Sequence, residues 1–120
     1  MTEKVSPKWK IIYYESPSGQ KPVFDFIENL SPVAKSKVIN SFNLLTDFGI
    51  NMRQPHVKKI SGTDLWEIRI LGQDSLRFFY KTIKEQTFLL LHGFTKKKQK
   101  TPKKEINTAR RRLLESQSRY

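Results

Sequence analysis

Three runs constrain this chain more than anything else in it: DLWEIRIL (64–71), SLRFFYKT (75–82) and QTFLLLHGF (86–94). β-Branched and aromatic residues dominate each run, as strands prefer. The connections, Gly72–Asp74 and Lys84–Glu85, are short enough to be hairpin turns. Three successive antiparallel strands follow, and a sheet that small must be covered by something else in the chain.

Period-two alternation assigns the faces. Trp66, Ile68 and Ile70 point one way, and Leu65, Glu67, Arg69 and Leu71 the other. Leu76, Phe78 and Tyr80 share a face, opposite Ser75, Arg77, Phe79 and Lys81. The two apolar rows must lie against helices, which places Tyr80 in the core and projects Arg69 and Arg77 together from the other side. In the last run Phe88, Leu90, His92 and Phe94 form one row, and Leu89, Leu91 and Gly93 the other. A strand apolar on both faces is covered on both. Gly93 marks a bend or a close approach.

The covering helices are legible upstream. PVFDFIENL (22–30) opens with Pro22 and carries Val23, Phe26, Ile27 and Leu30 on one stripe. The next helix has Ser31 as its cap and Pro32 in its first turn. Ala34, Val38, Phe42, Leu45 and Phe48 form its buried face, and Gly49 stops it. WKIIYY (9–14) reads as a first strand that joins one edge of the sheet. Residues 51–63 hold few periodic cues. At the far end Thr101 and Pro102 open a helix with Ile106, Ala109 and Leu113 turned inward. The fold class is α+β: an antiparallel sheet packed against an N-terminal helical hairpin, with a C-terminal helix. Residues 1–120 form a single domain, the size most domains take.

Composition narrows the function. The chain has no cysteine, and His56 and His92 lie far apart, so a zinc site is not expected and no cofactor is implied. No apolar run approaches the roughly 20 residues a membrane helix needs. MTEKVSPKWK has no signal-peptide core, so the cytoplasm is the expected compartment. The formal charge is +12, and between Thr95 and Arg112 nine basic residues face one acid, Glu105. Such a field draws in polyanions, RNA or DNA above all, and also suits an acidic protein partner.

The lysines begin where the last strand ends, so a rigid scaffold holds out a basic loop. There is no HExxH, no GxSxG and no phosphate-cradling glycine loop. What remains is Lys, Arg, Tyr and His, a set suited to breaking RNA without a metal. There the ribose 2′-OH attacks its own 3′ phosphate, and the protein aligns it, stabilises charge and moves protons. Arg69 and Arg77 are candidate clamps for the nonbridging oxygens, assisted by Lys96 and Lys97. His92 is a candidate proton carrier, or a hydrogen-bonded packing residue. Lys58, Lys59, Lys98, Lys100, Arg110 and Arg111 are candidate RNA contacts, or a solvated basic face. Phe79 and Phe94 are candidate stacking platforms, or interior filling.

PHVKKI (55–60), LWEIRI (65–70), LRFFY (76–80) and LLLHGFTKKKQKTPKKEINTARRRL (89–113), in that order, resemble the phage-derived Gp49-like proteins. These are the HigB-like branch of the RelE/ParE toxin superfamily. The resemblance implies a RelE-like, microbial-ribonuclease-like fold. It also implies a messenger-RNA endoribonuclease that acts at the ribosome as the toxin of a type II toxin–antitoxin module. A cognate antitoxin would neutralise it and carry the complex to operator DNA. The basic positions of the family fall on Arg69, Arg77 and Lys96 to Lys98. Glu67 stands where well-described ribosome-dependent relatives carry a lysine, and their C-terminal tyrosine has no secure counterpart. Two other functions stay open: a ParE-like noncatalytic inhibitor of DNA gyrase, and a basic nucleic-acid-binding module without enzyme activity.

Overall fold

A computed structural model describes residues 8–51, 57–97 and 99–119. Strand β1 (Lys10–Tyr13) is followed by helices α1 (Pro22–Glu28) and α2 (Pro32–Phe48), then a 3-10 turn at Gly49–Asn51. Strands β2 (Val57–Lys59), β3 (Trp66–Ile70), β4 (Gln73–Ile83) and β5 (Thr87–Thr95) lead to helix α3 (Lys103–Ser116). The architecture is α+β, with N- and C-terminal helices flanking a mixed, open sheet in the order β1-β5-β4-β3-β2. The three central strands pair antiparallel in sequence. β1 joins the edge as expected, parallel to β5, with Lys10 opposite Thr87 and Tyr13 opposite Leu90. At the other edge β2 is a strand the sequence did not announce.

Two cores sandwich the sheet. On one face Ile68, Ile70, Leu76, Phe78, Tyr80, Phe88 and Leu90 pack against Val23, Ile27, Ala34, Val38, Phe42 and Leu45 of α1 and α2. On the other, Leu65, Phe79, Leu89, Leu91 and Phe94 meet Ala109 and Leu113 of α3. The Ser31 hydroxyl accepts the Ala34 amide at 3.2 Å, which caps α2. Gly49 ends it with φ 58°.

Three local expectations are corrected. Phe48 is not in the core but 56% exposed. Trp66 is 38% exposed, since its row runs out beside the short strand β2. Thr101 does not cap α3: Pro102 holds the cap position, and no side chain closes it.

The parity of β5 changes midway. Tyr80 lies opposite Leu90 but Phe79 lies opposite His92, so Leu91 is an extra residue, a β-bulge. Phe88 and Leu90 therefore face the helical hairpin, while His92 and Phe94 turn to the α3 face, against the expected single row. Gly93 points back toward the hairpin. A Cβ there would come 2.5 Å from the Phe78 ring and 3.0 Å from Phe26. Its missing side chain makes room for two aromatic rings, not for a substrate.

Candidate functional site

The strand registers place the expected site residues in two rows on the α3 face. One row runs Lys58, Glu67, Phe79, His92; the next runs Arg69, Arg77, Phe94. Arg69 and Arg77 are thus direct cross-strand partners. Adjacent strands lie about 4.8 Å apart, so the second row spans about 10 Å from Arg69 to Phe94.

Burial divides these residues. Arg69 is exposed. Arg77 is only 6% exposed, and its Nη1 donates to the Leu76 carbonyl at 3.0 Å. The expectation of two guanidiniums projecting into solvent as a pair therefore fails for Arg77. Its register row lies on the α3 face of the sheet. Phe79 is fully buried and Phe94 is 6% exposed, so neither can stack on a base. They stack on protein instead: Phe79 meets Phe94 edge-on at 5.1 Å, and the His92 ring lies along Phe94 at 5.4 Å. Glu67 is buried too, with Lys58 Nζ at 3.6 Å from its carboxylate. This ion pair takes Lys58 partly out of reach of a phosphate.

His92 is held by α3 from both sides. Arg112 Nη1 donates to His92 Nδ1 at 3.2 Å and to the Leu91 carbonyl at 2.8 Å. A guanidinium only donates, so Nδ1 must accept and the ring proton sits on Nε2. That N–H faces Glu105 Oε1 at 3.2 Å. The bulge frees the Leu91 carbonyl that Arg112 satisfies, which is why this strand segment and this helix lock together. Burial pushes the His92 pKa below its ordinary value, although Glu105 pulls the other way. The packing alternative for His92 is thus the one its contacts favour. Arg112 is turned inward by the same contacts. Arg110 and Arg111 remain exposed.

Beside this assembly a cleft of about 630 Å³ opens at the end of β5, lined by Gly93, Phe94, Thr95, Lys97, Lys104 and Glu105 among others. Phe94 connects the two parts: it lines the cleft and is the register partner of Arg77. Lys96 is half-buried, with its backbone N–H bonded to Ser75 O, and Lys97 joins Lys104 in lining the cleft. Lys100 is exposed beyond it, and Lys98 lies outside the described residues. Lys59 and Arg110 are elsewhere, lining a second cleft of about 440 Å³ under α3 with Asp64 and Gln117. Among the described residues no His, Asp and Glu cluster is arranged to hold a metal ion. No described helix is long and apolar enough to cross a membrane.

Glu105 is the site residue that the sequence reading missed. Its signal was present, as the lone acid among nine bases between Thr95 and Arg112. A carboxylate retained in so basic a segment has a local partner, here His92.

Residues 25–114 match the model of the family described as phage derived protein Gp49-like (DUF891), and the chain belongs to that family. No curated protein matches the chain.

Proposed function

We propose that this Gp49-like protein is a metal-independent endoribonuclease that cuts messenger RNA on the ribosome, as the toxin of a toxin–antitoxin module with a RelE-like fold. The observation that carries the reading is the basic cleft at the end of β5. Lys97 and Lys104 line it, and it adjoins the row from Phe94 through Arg77 to exposed Arg69, in a chain of formal charge +12.

Arg69 binds the scissile phosphate through its planar fork, and Lys97 approaches from the cleft. Arg77 is too buried to clamp a phosphate. Exposed Lys59, Lys100, Arg110 and Arg111 guide the strand by charge. The substrate supplies its own nucleophile, so the protein contributes alignment and charge. The ribosome presents the message in the conformation that a sparsely equipped site needs. An antitoxin with acidic segments complements the basic surface and takes the complex to operator DNA.

Burial of Arg77, Phe79 and Phe94 favours a second reading, a basic nucleic-acid-binding module without catalysis. Mapping transcript ends after brief induction separates the two. Under the first reading the wild type makes codon-phased cuts, and Arg69→Ala reduces them by 10²-fold or more, in the range of a lost transition-state contact of roughly 10²–10³. Unchanged transcript ends defeat it. Broken DNA with intact messages would point instead to gyrase.

A further inference from the structure

We propose that Glu105 is the proton acceptor of this site, with His92 and Arg112 as the residues that position it. The inference rests on the ribonuclease reading above and names the group that reading lacks. Three observations support it. Glu105 is the one carboxylate among the residues lining the basic cleft. Its Oε1 is fixed by the Nε2–H of His92, and the ring is fixed in turn by Arg112 at Nδ1. The side chain keeps 17% of its surface open, enough for Oε2 to meet a substrate hydroxyl.

The arrangement has the logic of an oriented base. A buried donor holds one carboxylate oxygen, which turns the other toward the cleft, and a third group locks the donor's tautomer. His92 itself cannot take the proton from substrate, because both ring nitrogens are engaged. The charged groups facing Glu105 are His92 from β5, Lys97 from the following loop, Lys104 from its own helix, and Arg112 about two helical turns further along α3.

In the step, the 2′-hydroxyl proton passes to Glu105 Oε2 as the 2′-oxygen bonds to phosphorus. The bond from phosphorus to the 5′-oxygen breaks, and that oxygen takes a proton from the Lys97 ammonium. The products are a 2′,3′-cyclic phosphate and a 5′-hydroxyl, and water returns Glu105 and Lys97 to their starting states. No oxidant, metal or further reactant is needed.

The test compares wild type with Glu105→Gln and Arg112→Lys in single-turnover cleavage of a synthetic message on ribosomes across pH. Gln keeps the oxygen that accepts from His92, so the fold and the affinity for a message blocked by 2′-deoxyribose at the cut should be unchanged. Cleavage by Glu105→Gln should fall by about 10²–10⁴-fold, the usual contribution of a general base. The acid limb of the pH–rate profile should vanish with it. Arg112→Lys should retain the limb but displace it, because it loosens the tautomer lock without removing the base. Cleavage by Glu105→Gln at the wild-type rate and with the wild-type profile overturns this inference alone. Loss of affinity in parallel with rate makes Glu105 structural and overturns it too. A wild-type chain that cuts nothing overturns the ribonuclease reading and the inference with it.

Discussion

Burial lowers the pKa of His92 below its ordinary value of 6.5, and the contact with Glu105 offsets this only in part. In the unfolded chain the same ring titrates normally, so the unfolded state binds its proton more tightly. The contribution of His92 is then fully present above about pH 6.5 and lost as pH falls through the lower folded pKa. Urea titrations should show stability declining below about pH 6.5, and His92→Gln should flatten that part of the curve. Glu115 acts in a separate window. The hydrogen bond from the Tyr14 hydroxyl, at 2.7 Å, holds its carboxyl below the usual carboxylate range, so its effect appears only in stronger acid. At this scale the sequence was half legible. Alternation alone paired Arg69 with Arg77, because the pairing needs only that both strands keep period two. The depth of each side chain was not legible, since it depends on where α3 lies over the sheet, and a strand pattern carries no information on that. For this one reason the burial of Arg77 was not foreseen, and alternation could not choose between stacking platform and interior filling for Phe79 and Phe94.

The elements with strong local signals formed where their residues predicted. Ser31 and Pro32 start α2, and Gly49 ends it. The hairpin turns fall within a residue or two of Gly72 and Glu85. β2 was invisible because three residues, Val57 to Lys59, cannot establish a period, and their pairing to β3 supplies the order instead. The bulge at Leu91 was invisible because a run apolar on both faces gives no cue to a skipped register. The turn between β4 and β5 holds an uncommon feature: Glu85 and Gln86 have φ of 63° and 53°, where a Cβ crowds the backbone. A left-handed residue of this kind costs roughly 1–2 kcal/mol relative to glycine. Gln86→Gly should therefore stabilise the protein by about 1 kcal/mol, less what glycine gains in unfolded freedom. Thermal or urea denaturation measures it, and the Lys10 amide bond to the Gln86 carbonyl is a backbone contact that survives the change.

Across the whole molecule, 23 Lys and Arg stand against 11 Asp and Glu; Lys97 and Lys104 line the cleft at the end of β5, and Lys59 and Arg110 the one under α3. Affinity for single-stranded RNA should fall as salt rises, with about 0.7 added to the logarithmic slope per phosphate contacted. Arg69→Ala should reduce the slope by about that amount if Arg69 meets a phosphate. Titration by fluorescence anisotropy at several salt concentrations checks this, and an unchanged slope removes Arg69 from the interface. The cation count was plain from composition. Its separation into two surfaces was not, because Lys59 and Arg110 meet only through the tertiary fold.

The parallel pairing of β1 with β5 also orders the making of the protein. A chain grows from its N-terminus, so Lys10–Tyr13 emerges with no neighbour and waits for Thr87–Leu90 before its hydrogen bonds close. α3 follows later in the chain and brings Glu105 and Arg112 to His92. The cleft at the end of β5 is thus closed by residues that follow the sheet in sequence, and a chain lacking α3 would keep His92 without the carboxylate and guanidinium that engage it.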